Sequence, residues 1–247
     1  MGIGNFFGMM PDSMKESRLY GVELDSITGR IAKQLYPQAD VQIKGFEKTD
    51  YPNDFFDVAI GNVPFGQYKV ADKQYDFLIH DYFFAKTLDK VRSGGVVAFI
   101  TSKGTMDKAS SEVRRYLAQR ADLLGAVRLP NTAFKANAGT EVTSDILFFQ
   151  KRDRMVEREP DWVHLGEDAD GIAMNAYFAQ HPEQIVGKME MVSGPYGMES
   201  TCKADDSRPF AEQLAKALQN ITGQIDTIDL DEELADDMSR QSIPADP

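Results

Sequence analysis

The sequence predicts an α/β fold: a mostly parallel sheet whose strands alternate with helices. Three observations carry this. Short apolar runs alternate with amphipathic stretches as far as residue 152, and Gly or Pro marks most of the joints. The apolar runs then thin out. The charge shifts at the same place. Residues 1–152 hold 20 Lys and Arg against 18 Asp and Glu, whereas residues 153–247 hold 7 against 21. The net charge of −12 therefore belongs to the second part, and the near-neutral first part stays open to nucleic acid. The expected organisation is a domain over 1–152, an acidic, α-rich appendage over 153–222, and a disordered tail or linker over 223–247.

The elements follow in order. Gly2-Ile3-Gly4 is a turn before a helix. Leu19–Leu24 is an apolar run ending in acid, a strand. Ile27, Ile31 and Leu35 share one face of a helix that Pro37 ends, with Asp25 or Ser26 as its N-cap. Val41–Gly45 and Phe55–Gly61 are strands, the second running into Asn62-Val63-Pro64-Phe65. Phe77–Val91 is a long amphipathic helix. Gly94-Gly95 turns the chain into the strand Val96–Ile100. Ser111–Gln119 is helical, and Leu123–Leu129 and Thr143–Gln150 form an antiparallel pair at the end of the sheet. In the appendage, Trp162, Val163, Leu165, Ile172, Tyr177 and Phe178 suggest loose packing. Phe210–Ile221 is a last helix.

Composition excludes several classes. One Cys (Cys202) and three His rule out a disulfide framework and argue against a metal centre, so no metal is expected. No window approaches the roughly 20 apolar residues of a membrane span, and no leader of the secretory kind opens the chain. A cytoplasmic location and no membrane partner are the expectation. Ser102, Ser110 and Cys202 have no His/Asp constellation around them. His80 reads as a helical residue, and Lys103 and Lys108 as solvated loop residues.

Asn62-Val63-Pro64-Phe65 is the strongest chemical signal. It lies at the carboxyl end of a strand, where open α/β sheets bind ligands. The Asn62 side-chain carbonyl and the Val63 backbone carbonyl can each accept one N–H of an amino group. That aims the nitrogen lone pair at an electrophile. Pro64 stiffens the backbone, and Phe65 offers a face for a flipped base. Gly2 and Gly4 allow close approach of backbone to a ligand. Glu23, at a strand end, suits a ribose diol.

In this order the motifs resemble the S-adenosylmethionine-dependent adenine-N6 DNA methyltransferases. The chain looks most like the methylase module beside helicase domains in large proteins of mobile elements. Gly2–Gly8, Ile60–Gly66, Phe77–Phe83, Gly94–Gly104, Arg128–Asn131 and Gly139–Leu147 carry that likeness. It implies a Rossmann-like class I methyltransferase sheet with S-adenosylmethionine as cofactor. Gly2, Gly4 and Glu23, with Phe46 or Glu47 at the adenine, would bind the cofactor. Asn62, Val63, Pro64 and Phe65 would form the catalytic tetrapeptide. DNA, with its adenine flipped out, and a helicase segment would be the partners. Val63 stands where the family usually has Pro, and only its carbonyl is required. The family's first, central strand and an acid-Pro pair precede the Gly-x-Gly, so the expectation is a sheet lacking that strand and weak cofactor binding. A protein-glutamine N-methyltransferase would use the same acceptors on an amide. A non-catalytic nucleic-acid-binding module is the other alternative.

Overall fold

A computed structural model describes residues 1–72, 74–135, 139, 141–194 and 197–224. Two parallel strand–helix–strand units lie at its centre. In the first, β1 (Tyr20–Glu23) and β2 (Asp40–Ile43) pair in parallel across α2 (Ser26–Leu35). In the second, β3 (Phe56–Asn62) and β4 (Val91–Ser102) pair in parallel across α3 (Ile79–Lys90). β6 (Ser144–Lys151) adds antiparallel to β4, and β5 (Ala121–Leu129) antiparallel to β6, giving the order β3-β4-β6-β5. This is the expected parallel sheet with an antiparallel pair at its end.

The Gly94-Gly95 turn is absorbed into β4. The register steps from Phe56 opposite Val91 to Val58 opposite Val96, and Gly94 takes a φ of 75° that favours glycine. The preceding helix thus hands over to the strand without a separate loop.

The two units form separate sheets. Among the described residues, β1 pairs only with β2, and β3 only with β4, so each of β1 and β3 has one edge without a ladder partner. They are joined at their starts by aromatic rings. Tyr20 meets Phe55 and Phe56, each at 5.3 Å between ring centres, and Tyr51 meets Phe56 at 5.0 Å. Both strands therefore begin at the same end of the molecule.

α2 begins as the sequence suggests: Asp25 caps it, accepting from the Thr28 amide at 2.7 Å. Its apolar face, however, points outward. Ile27, Ile31 and Leu35 are exposed, and only Gly29 and Ala32 are buried. Gly29 can press this close because a Cβ there would lie 2.8 Å from Ile43.

The appendage is firmly packed, contrary to the loose packing suggested by its thin apolar content. Trp162, Val163, Ile172, Met174 and Phe178 share one core with Phe84, Val97, Leu117 and Phe149 of the sheet and its helices. Beside the helices Ala176–Gln180 and Phe210–Leu218, it holds two strand pairs: β7 (Leu165–Glu167) with β8 (Ala173–Asn175), and β9 (Lys188–Gly194) with β10 (Gly197–Lys203).

A buried ion cluster fastens the appendage down. Arg128 on β5 grips Asp145 on β6 through two hydrogen bonds of 2.8 and 2.9 Å and reaches Asp107 at 2.9 Å. Asp107 lies in the short helix α4 (Gly104–Asp107). It also accepts the Asn175 amide at 2.9 Å, and the Arg128 guanidinium lies 4.2 Å from the Phe178 ring centre. Of the expected tail, Gly223 and Gln224 touch the sheet: the Gln224 carbonyl accepts from Gln150, and Gly223 lies against Leu124. Residues 225–247 lie outside the described residues.

Candidate functional site

The sequence-predicted residues gather at the carboxyl ends of β1, β2 and β3. Gly2 and Gly4 adopt φ values of 62° and 93°, conformations that L side chains rarely take. Gly4 starts the short helix α1 (Asn5–Gly8), and a Cβ there would fall 2.5 Å from the Tyr36 ring. Glu23 clamps this turn to β1. One carboxylate oxygen accepts from the Gly2 amide at 2.7 Å and the Met1 ammonium at 3.1 Å; the other accepts from the Asp25 amide at 2.9 Å. Burial pushes the Glu23 pKa up, but the Asp25 and Gly2 amides and the ammonium outweigh it and hold the carboxyl below its ordinary value.

Phe46 and Glu47 follow β2 in a short 3-10 turn. The Phe46 ring stacks on Phe83 with centres 5.0 Å apart, and its carbonyl accepts from the Lys86 ammonium at 2.8 Å. Lys86 also lies over the Phe46 ring, 5.1 Å from its centre. Phe46 is thus engaged by α3, and Glu47 is the more available of the two.

Asn62 ends β3, opposite Ile100 of β4. The Val63 amide continues the ladder, donating to the Ile100 carbonyl at 3.0 Å, and its side chain is buried in the main core. This explains why Val serves there: it anchors the tetrapeptide from below. The Asn62 side chain is exposed, and neither its amide nor the Val63 carbonyl has a hydrogen-bond partner among the described residues. Pro64 is exposed, and Phe65 is half-buried against the core.

α3 supports both groups. Through Tyr82, Phe83 and Lys86 it holds Phe46; at its head, the Ile79 amide donates to the Tyr68 carbonyl at 2.9 Å, just past Phe65. His80 is buried, as a packed helical residue should be. Burial pushes its pKa down; Asp81 opposes this, Lys108 adds to it, and the Gly66 backbone opposes it. Asp81 is fully buried and pairs with Lys108. The solvated role expected of Lys108 and Lys103 is therefore incorrect: Lys103 reaches across to the Ser200 hydroxyl at 2.9 Å. Both ammonium groups have oxygen acceptors that local sequence does not reveal. Sequence reasoning also missed Lys86 and the Arg128–Asp145–Asp107 cluster. A single charge recurring inside an apolar strand, as in Ala126-Val127-Arg128-Leu129, was the available signal.

Among the described residues no group of three or more His, Cys, Asp or Glu could hold an ion. No helix among them is long and apolar enough to cross a membrane.

The architecture is the fold shared by class I S-adenosylmethionine-dependent methyltransferases. A Listeria monocytogenes protein assigned to that class has a TM-score of 0.52 at 19% identity, over 64% of this chain and 53% of its own. A protein assigned as the modification subunit of a type I restriction enzyme in Vibrio vulnificus has a TM-score of 0.50 at 19% identity, over 62% of this chain and 39% of its own. In sequence, the chain is 36% identical over 150 residues to defense against restriction protein B of Escherichia phage P1. That match takes in 58% of this chain and spans 7% of the phage protein's length. No family model matches the chain.

Proposed function

We propose that the chain is the methyl-transfer module of an adenine-N6 DNA methyltransferase, acting within a larger assembly of a mobile element. One observation carries the reading: the Asn62 side chain and the Val63 carbonyl stand at a strand's carboxyl end, with no hydrogen-bond partner among the described residues. Two acceptors fixed this way suit the two N–H groups of an exocyclic amine. Accepting both turns the nitrogen lone pair outward and withholds it from the ring. Pro64 and the buried Val63 keep the acceptors from relaxing, which is how positioning lowers the barrier. The reaction needs no strong base: the proton leaves after the amine has gained its methyl group. Phe65 offers a face for a base removed from its stack.

S-adenosylmethionine would supply an electrophilic methyl group on a sulfonium. The residues present fit a nucleoside: a glycine turn, a carboxylate at the end of β1, and Phe46 with Glu47 after β2. Glu23 would take ribose hydroxyls in exchange for its bond to the Met1 ammonium. The kinship to a phage protein of defence against restriction and the likeness to a modification subunit support DNA as the acceptor and a multisubunit setting; a helicase segment as partner rests on the sequence resemblance alone.

A transfer assay with tritiated S-adenosylmethionine tests this on duplex DNA and on peptides bearing glutamine. Label on adenine N6 is expected, and Asn62→Ala should abolish it while leaving cofactor affinity nearly unchanged. Wild-type turnover by Asn62→Ala would remove the site assignment. Label on glutamine instead would reassign the substrate, and label on neither would favour a binding module.

A further inference from the structure

We propose that Tyr68 is a second base-contacting ring, working beside Phe65; this rests on the methyl-transfer reading above. Tyr68 lies between the Asn62–Phe65 tetrapeptide and α3, and it is 56% exposed. Single exposed aromatics are common, so exposure alone says little. Three further features separate this one.

Its backbone is fixed. The Ile79 amide donates to the Tyr68 carbonyl at 2.9 Å, and the next residue, Lys69, forms an antiparallel bridge with Leu78 at the head of α3. Its ring is placed as well. A Cβ on Gly66 would lie 2.5 Å from Tyr68 Cε1 and 2.7 Å from Cδ1, so the ring rests against a glycine where any side chain would collide. That glycine directly follows Phe65. Finally, the phenol hydroxyl has no hydrogen-bond partner among the described residues, unlike the phenols of Tyr75 and Tyr82, which are tied to Asp89 and Asp72.

A ring held at its base and open over its remaining surface loses little freedom when a base stacks on it. The ligand class is a purine or pyrimidine out of its duplex, since every base has a π-face and stacking tolerates all of them. Tyr68 would hold the base near the acceptors of Asn62 and Val63 without choosing its identity.

The test titrates the full chain, without cofactor, into a short single-stranded oligonucleotide carrying one 2-aminopurine. Wild-type protein is expected to quench the 2-aminopurine on binding. Tyr68→Ala should weaken binding by about 10-fold and lose part of the quenching, while Tyr68→Phe keeps both. Because the ring is exposed, Tyr68→Ala should retain the wild-type urea midpoint, which separates lost contact from lost fold. Binding and quenching by Tyr68→Ala equal to wild type would overturn the proposal, as would a wild-type chain that does not quench. Failure of methyl transfer with the Tyr68 effect intact would count against the enzymatic reading alone.

Discussion

The molecule contains the strand–helix–strand unit twice, and the two copies are built to different standards. In β3–α3–β4, the crossover helix buries nine of its positions, Ile79 to Tyr82 and Phe84 to Leu88. In β1–α2–β2, the helix buries only Gly29 and Ala32. The β3–α3–β4 unit is closed by β6, β5 and the appendage, and it carries Asn62–Phe65. The other is a two-stranded sheet that carries the glycine turn and Glu23. A parallel pair normally lies inside a larger sheet with both faces covered. The contrast teaches that one end of the site rests on a finished core, while the other depends on aromatic contacts and on the Glu23 clamp.

The largest effect should come from breaking the well-built side. Asp145→Ala would leave Arg128 buried beside a weakened cluster, and urea unfolding should show a loss of about 3–5 kcal/mol. A loss below about 1 kcal/mol would show that solvent already reaches this cluster.

The smallest effect concerns the clamp. The Glu23 pKa is lower in the folded protein than its ordinary 4.5. Its stabilisation is therefore complete above that value and fades as pH falls through the lower, folded one. The Gly2 and Gly4 amide resonances should hold steady down to the ordinary carboxylate range and shift only below it. Glu23→Gln should remove that acid transition. A shift centred at the ordinary value would mean the clamp is not formed in solution.

Much of this was legible in the sequence because it is local. Period-two and period-3.6 patterns placed strands and helices within a few residues, and strand ends placed Glu23 and Asn62–Phe65 on one rim. What was not legible depends on distant partners. Periodicity marks Ile27, Ile31 and Leu35 as one face of a helix but does not say which way that face points. Arg128 and Asp145 are 17 residues apart in sequence and look like surface charges until β5 and β6 pair. The appendage looked thin because its apolar residues are scattered among acids, yet they enter a core whose other half comes from the sheet. Tyr68 is an isolated aromatic in a polar loop, and only the missing side chain of Gly66 marks its place.

Trp162 is the sole tryptophan of the chain, and it is buried with its ring centre 5.6 Å from that of Phe149. The protein thus has one built-in optical reporter, and it sits where the appendage meets the sheet. Its emission should be blue while that seam is closed and should move to the red when the appendage lifts. Events at the glycine turn or at β1 and β2 would pass almost unseen. A melt followed by tryptophan light would therefore time the separation of the appendage, whereas far-ultraviolet dichroism would follow the helices of both units.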